Sequence, residues 1–256
     1  MKNISKKQIV PVRRSVSASP AYRLAWVAEP PLLSADWDDP VWATAQTLEV
    51  ASFHPASSEH RPHTEARVVY GHEGVYVSFR VQDRYVKSIH TAYQSRVSLD
   101  SCVEFFVQPK PDSGYFNFEI NCGGALLLYY IEDPARAKNG LFKKYREVSA
   151  EIAKQVLIYH SMPPVTLREI QEPTQWRIAF FAPFSLFEHF VGPLPKPHLQ
   201  PWRGNFFKCG DETSHPHWAS WAPIGEVLRF HQPDRFENLE FALPVAPAAR
   251  KRSTRA

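Results

Sequence analysis

The stretch DSCVEFFVQPKPDSGYFNFEIN (residues 100–121) decides how this chain folds. Read in steps of two, Val103, Phe105 and Val107 share one face, opposite Cys102, Glu104 and Phe106. Further on, Phe116, Phe118 and Ile120 share a face, opposite Tyr115, Asn117, Glu119 and Asn121. That alternation belongs to strands, whose successive side chains point to opposite faces, and not to helices. The pattern repeats in VYVSFRV (75–81), where Val75, Val77, Phe79 and Val81 oppose Tyr76, Ser78 and Arg80. It repeats again in WRIAFF (176–181), where Trp176, Ile178 and Phe180 oppose Arg177, Ala179 and Phe181. Twenty-three prolines cut the chain into segments too short for long helices. One apolar face and one polar face per strand predict an all-β fold, an antiparallel β-sandwich of jelly-roll or immunoglobulin-like type. Two short helices are expected beside it. One lies within 141–153, where Leu141, Tyr145, Val148 and Ile152 form a stripe, and the other in PFSLFEHF (183–190), with Pro183 at its start.

Charge sharpens the domain boundaries. Of the 30 basic residues, Lys2, Lys6, Lys7, Arg13, Arg14, Arg250, Lys251, Arg252 and Arg255 sit in two terminal runs without acids, which leaves 21 against all 26 acids and a middle of net charge −5. A basic groove for nucleic acid is therefore not expected. The reading is a disordered basic arm at 1–19, one folded domain over 20–245, and a disordered basic tail at 246–256. No apolar run is long enough for a membrane span or an export signal, so the chain is expected in the cytoplasm, or outside the cell if the true start lies upstream. Cys102, Cys122 and Cys209 are odd in number and widely spaced, which predicts reduced, partly buried thiols and no zinc ribbon. The pairs His60 with His63 and His215 with His217 lack a third ligand at zinc spacing. Asp36, Asp38 and Asp39 offer the hard oxygens that calcium prefers, but without a calcium-loop pattern, and Asp39 is expected instead to cap the following short turn before Pro40. The sequence sets no oligomeric state.

The segment HPHWASWAPIGEVLRFHQPDRF (215–236) is rich in rings, which serve equally as a ligand platform or as core. A resemblance separates these readings. ADWDDPVWATA (35–45), TEARVVYGHEGVYVSFRVQD (64–83), DSCVEFFVQP (100–109), GYFNFEINCGG (114–124), WRIAFFAPFSLF (176–187), WRGNFFKCGDE (202–212) and SWAPIGEVLRFHQPDRFENLEF (220–241) occur in the order in which similar motifs occur in the family 9 carbohydrate-binding modules. The resemblance implies a sandwich that binds a mono- or oligosaccharide without cleaving it, in the service of carbohydrate breakdown, with no cofactor beyond the structural calcium that some members carry.

It also implies site residues. The family's sugar binders hold a terminal sugar between two tryptophans; the first position falls near Ser98 and the second at Phe230, beside His231, so only half of that clamp is present. Tyr93, in the preceding loop, is the candidate for the missing ring. Glu104 matches the family's sugar-binding acid, and Glu119 matches a position where an arginine can stand. Asn117 and Arg80 would complete the site if their strands are neighbours. Trp42, Trp176 and Trp221 match packing positions, while Trp218 is freer to face a ligand. Two other functions are carried forward: a glycoside hydrolase using Glu104 and Glu119 as paired carboxyls, and a haem-binding sandwich with Met162, the single internal methionine, as an iron ligand.

Overall fold

The computed structural model describes residues 21–34 and 36–245, so the expectations for the basic arm and the basic tail lie outside the described residues. In chain order the strands are β1 (Tyr22–Trp26), β2 (Leu48–Glu49), β3 (Ser52–Phe53), β4 (His63–Tyr70), β5 (Gly74–Asp83), β6 (Val86–Ser88), β7 (Cys102–Gln108), β8 (Tyr115–Asn121), β9 (Leu126–Arg136), β10 (Phe142–Glu147), β11 (Leu157–His160), β12 (Thr166–Ile170), β13 (Thr174–Pro183), β14 (Trp202–Cys209), β15 (Trp218–Ser220) and β16 (Glu237–Phe241). One face-to-face partner runs β10-β9-β8-β7-β14-β16, with β15 and β3 continuing beside β14; the other runs β4-β5-β13-β11, with β2 on β4. Strand β1 joins them, pairing parallel with β16 through Tyr22–Leu24 and parallel with β4 through Ala25 and Trp26. A separate ribbon pairs β6 with β12. Among the described residues no helix is long and apolar enough to cross a membrane.

The core fills the space between the sheets with the residues that the alternation assigns to it. Val103, Phe105 and Val107 of β7 and Phe116, Phe118 and Ile120 of β8 meet Val75, Val77, Phe79 and Val81 of β5 and Trp176, Ile178 and Phe180 of β13. The Phe118 and Phe180 rings stack across the gap with centroids 5.4 Å apart. Trp42 and Trp176 are fully buried, and Trp221 packs against the main core edge-on to Tyr22 and Phe206.

Two elements differ from expectation. The helix expected over 141–153 is instead strand β10, paired antiparallel with β9, followed by the single turn α1 (Ala150–Ala153) capped by Ser149. Here Phe142 and Tyr145 pack against a second apolar cluster, and that tertiary contact outweighs the weak helical stripe. The helix expected at Pro183 does form as α2 (Phe184–Val191), burying Leu186 and Phe187 beneath Trp202. The polar faces of β7 and β8 are not solvated: every residue from Tyr115 to Asn121 is buried. The cause is the long connection between β15 and β16, which lays Ile224, Phe230 and Phe236 over Phe106, Tyr115 and Phe207 on the outer face of the sheet.

Candidate functional site

The outer face of β7, β8 and β14 is where the sequence concentrates its unusual groups. Register places Glu104 of β7 directly across from Glu119 of β8 on one side and from Phe207 of β14 on the other. The same pairing sets Cys102 opposite Cys209. Directly opposed side chains stand about 5 Å apart at Cβ, so two carboxyls and two thiols crowd one small area of sheet.

The β15–β16 connection turns this area into a pocket. Asn205 anchors its start, donating from Nδ2 to the Ala222 carbonyl at 2.9 Å and accepting from the Ala222 N–H at 2.9 Å. Gln232 fastens its end by donating to the carbonyls of Ile224 and Arg229 at 3.1 and 2.6 Å. Between these anchors Phe230 stacks on Phe207, centroids 4.2 Å apart, and His231 accepts or donates at Nδ1 with the Tyr115 hydroxyl at 2.9 Å. The result is a pocket of about 370 Å³ with Glu104, Glu119 and Cys209 as its floor and Trp218, Phe230 and His231 in its walls. Ser98, Asp211, Arg136, Leu228 and Arg229 complete the lining.

Electrostatics of the floor follow from burial. Glu104 and Glu119 are 3 % and 7 % exposed. Burial pushes the Glu104 carboxyl well above the usual carboxylate range, and the neighbouring Cys209 and Glu119 push it further. Burial also pushes Glu119 up to about 7, against the opposing effect of the Asn117 amide, which donates to its Oε1 at 2.7 Å. Asp211 is raised by burial too, although Trp218 Nε1 donates to it at 2.7 Å. His231 is lowered to about 3 by burial and by Arg136 and Arg229, so it stands neutral in the wall. A floor of carboxyls that hold protons can both donate to and accept from a neutral polyol, which a fully ionised pair could not do.

The sequence candidates divide on this geometry. Glu104, Glu119, Phe230, His231 and Trp218 converge on one pocket, with Asn117 beneath it holding Glu119 and the Tyr129 N–H. Arg80 is elsewhere: β5 belongs to the other sheet, where the guanidinium pairs with Glu65 at 2.7 Å and covers the Trp37 ring. The condition that its strand adjoin β8 is not met. Tyr93 is also elsewhere, donating to the Val148 carbonyl at 2.6 Å and packing against the main core. Met162 packs against that core as well, away from the pocket. Sequence reasoning missed Arg136, Asp211 and Arg229. Arg136 follows a register irregularity between β9 and β10 that erases its alternation, and Asp211 and Arg229 lie in connections without periodicity.

The metal expectations meet a similar sorting. Asp39 Oδ1 accepts the Val41 N–H at 2.8 Å, and Asp36 Oδ1 accepts the Asp38 N–H at 3.1 Å, so these oxygens serve the local turn. They form no convergent three-ligand group, and calcium does not fit there. His60 engages Asp83 at 2.7 Å and His217 engages Lys208 Nζ at 2.7 Å, both inside the fold and not as a zinc pair with their sequence neighbours.

A β-sandwich with an aromatic-walled, carboxyl-floored pocket on the outer face of one sheet is the architecture of a small-ligand-binding module. The chain belongs to carbohydrate-binding family 9, whose family model matches residues 41–241. In structure it is similar to a protein of Bacteroides uniformis ATCC 8492 named as a candidate carbohydrate-binding protein, with a TM-score of 0.76, 26 % identity, and coverage of 88 % of this chain and 100 % of that one. It shares its fold with a family 9 carbohydrate-binding module of Caldicellulosiruptor kristjanssonii solved with cellotriose, at TM-score 0.58 and 11 % identity over 89 % of this chain and 100 % of that one. The structure from the same organism solved with glucose gives TM-score 0.52 and 11 % identity over 89 % of this chain and 99 % of that one. No curated protein sequence matches the chain.

Proposed function

We propose that the protein is a non-catalytic carbohydrate-binding protein that holds a mono- or oligosaccharide in the Glu104–Glu119 pocket and serves carbohydrate breakdown. The observation that carries this reading is the joining of two buried, opposed carboxyls to flanking aromatic rings in one pocket. Carboxyls match the hydroxyl edge of a pyranose and rings match its apolar face. A volume of about 370 Å³ sits at the small end of the ~300–1,000 Å³ typical of ligand pockets, which favours a single sugar unit or a chain end over the middle of a polymer. Family membership supports the same class of ligand. In the cytoplasm the ligand would be an imported oligosaccharide and outside the cell a sugar met there, and cell fractionation decides between these placements.

Isothermal titration against glucose, xylose, galactose, cellobiose and longer oligosaccharides is the direct experiment. Saturable heat with at least one of them is the expected result, and no heat from the whole panel at millimolar concentration overturns the proposal. The hydrolase alternative draws less support, because Glu104 and Glu119 rise side by side from neighbouring strands of one floor, whereas glycosidase carboxyls flank the scissile bond. It requires turnover of an aryl glycoside that disappears in Glu104→Gln.

A further inference from the structure

The pocket floor contains a donor set of which the proposed sugar binding uses only Glu104. Cys102 Sγ, Cys209 Sγ and a Glu104 carboxyl oxygen all lie within 4.8 Å of one another, the three residues being buried. They are 0 %, 1 % and 3 % exposed. Two of them, Cys209 and Glu104, line the pocket itself.

Glu104 is the independent sign that something is to be bound here. Its side chain is more than nine-tenths buried and aimed into the pocket, yet among the described residues no ammonium, guanidinium or imidazole pairs with it. The hydrogen bond it accepts comes from the Cys209 thiol at 3.2 Å, a weak donor. The groups that act most on its charge are acidic, Cys209, Glu119 and Asp211, while the bases of the pocket lining, Arg136, Arg229 and His231, form no ion pair with it. Elsewhere in this fold a buried carboxylate is matched: Asp83 has Lys208 at 3.3 Å. A buried carboxyl among acids is satisfied either by protons or by a cation.

The spacing suits a cation. Tetrahedral zinc, with Zn–S near 2.3 Å and Zn–O near 2.1 Å, needs sulfur–sulfur edges of about 3.8 Å and sulfur–oxygen edges of about 3.6 Å. Cys209 Sγ stands 3.2 Å from a Glu104 carboxyl oxygen and no two of the three donor atoms are more than 4.8 Å apart, so side-chain shifts of about 1 Å reach those edges. A disulfide between the same two cysteines would instead need the sulfurs at about 2.05 Å. Two thiolates exclude a hard cation, and the carboxylate makes a borderline ion a better match than a purely soft one.

Resting on the carbohydrate-binding reading for the pocket's second occupant, we infer that Cys102, Cys209 and Glu104 form a three-ligand Zn²⁺ site whose fourth position opens into the pocket, where a water or a hydroxyl of the bound sugar completes it. Three protein ligands and one open position distinguish such a site from a closed structural one. On binding, the two thiols and the carboxylic acid give up their protons to solvent and the ion takes the three anions, so about three protons leave per zinc at a pH where all three are protonated. No oxidation is involved.

The test uses the full chain, reduced and freed of metal. Zn²⁺ is titrated in competition with a chromophoric chelator, and Co²⁺ replaces it for spectroscopy. One equivalent of Zn²⁺, proton release on binding, and a cobalt–thiolate charge-transfer band are expected. All three are lost in Cys102→Ala/Cys209→Ala, with folding verified by the near-ultraviolet signal of the core tryptophans, and the single Cys209→Ala variant serves if the double one fails to fold. Absence of stoichiometric Zn²⁺ binding, or binding that survives removal of the thiols, overturns the inference. Sugar titrations with and without Zn²⁺ separate the two claims. Sugar heat from metal-free protein that takes up no Zn²⁺ sinks the zinc site alone, whereas thiol-dependent Zn²⁺ binding without any sugar heat sinks the carbohydrate reading alone.

Discussion

Among the described residues two of the clusters of buried charge are built on opposite rules. In the core, between the sheets, Asp83 and Lys208 are fully buried and 3.3 Å apart. The carboxylate also takes His60 Nε2 at 2.7 Å, Trp176 Nε1 at 3.0 Å and the Arg84 N–H at 2.7 Å, while the ammonium reaches the Cys209 carbonyl at 2.9 Å and His217 Nε2 at 2.7 Å. On the outer face of β7 and β8, Glu104 opposes Glu119, like against like, with a thiol, one amide and the neutral His231 ring, 3.9 Å from Glu119, as neighbours. Burial is the same in both places, so burial does not separate structure from function. Partnership does. A cluster whose every atom is matched has nothing left to offer a ligand, and a cluster with spare hydrogen-bonding capacity beside a cavity has been left unfinished by the fold.

The matched cluster breaks hardest. Lys208→Met removes the cation and strands Asp83 in the core, an expected loss of about 3–5 kcal/mol, measured by urea unfolding. Asp83→Leu combined with Lys208→Met recovers most of that loss, because removing both charges leaves no orphan. If the single variant unfolds at the wild-type midpoint, the cluster is not the matched structure described here. Acid acts on the same point more gradually. Burial alone would raise the Asp83 carboxyl, but Lys208, the His60 hydrogen bond, His217 and Trp176 outweigh it and hold it below the usual carboxylate range. Its contribution to stability is therefore complete above about pH 4 and drains away as pH falls through the lowered value. His217, lowered to about 3 by burial and by Lys208, is protonated in the unfolded chain from about pH 6.5 downward while it stays neutral in the fold, so its share of the loss accrues between there and about pH 3. Unfolding midpoints followed from pH 6 down to pH 2 should fall in wild type and change less in the doubly neutral variant.

Legibility in the sequence follows the same division. The core was readable because alternation is a local signal: Val103, Phe105, Val107, Phe116, Phe118 and Ile120 all went where period two sends them. The floor was half readable, since the same alternation put Glu104, Glu119 and Asn117 together on the opposite face. What no window could show is that the face is covered. That depends on Asn205 and Gln232 fastening a connection whose rings, Phe230 among them, belong to no periodic segment. The meeting of Cys102 with Cys209 was hidden likewise, because it depends on β14 pairing with β7 across a long stretch of intervening chain. Arg80 shows the reverse failure: alternation gave its face correctly but could not say which of two sheets the face belonged to.

The unfinished cluster breaks through its ligand and not through the fold. Glu104→Ala removes a hydrogen-bonding group from the floor, so sugar affinity should drop by about 2 kcal/mol, roughly thirtyfold, in isothermal titration. The urea midpoint should hold or rise, because a buried group without a charged partner has gone. A variant that unfolds as Lys208→Met does would erase the distinction between the clusters.

The smallest effect falls on the rings. Trp218 is tied to Asp211 through its Nε1 and Phe230 is stacked on Phe207, so each is already held in place before a ligand arrives. Pre-ordered rings lose little entropy on binding, and each is worth about 1 kcal/mol against a sugar face. Trp218→Ala and Phe230→Ala should each weaken binding roughly fivefold, read in the same titration, and the double variant should lose about the product if the rings act on separate parts of the ligand. A double loss well short of the product would mean that the two rings grip one pyranose as a clamp whose second half is Trp218 and not a residue near Ser98. That outcome would place the sharing of work between rings on the outer face, where partners are left for the ligand to supply.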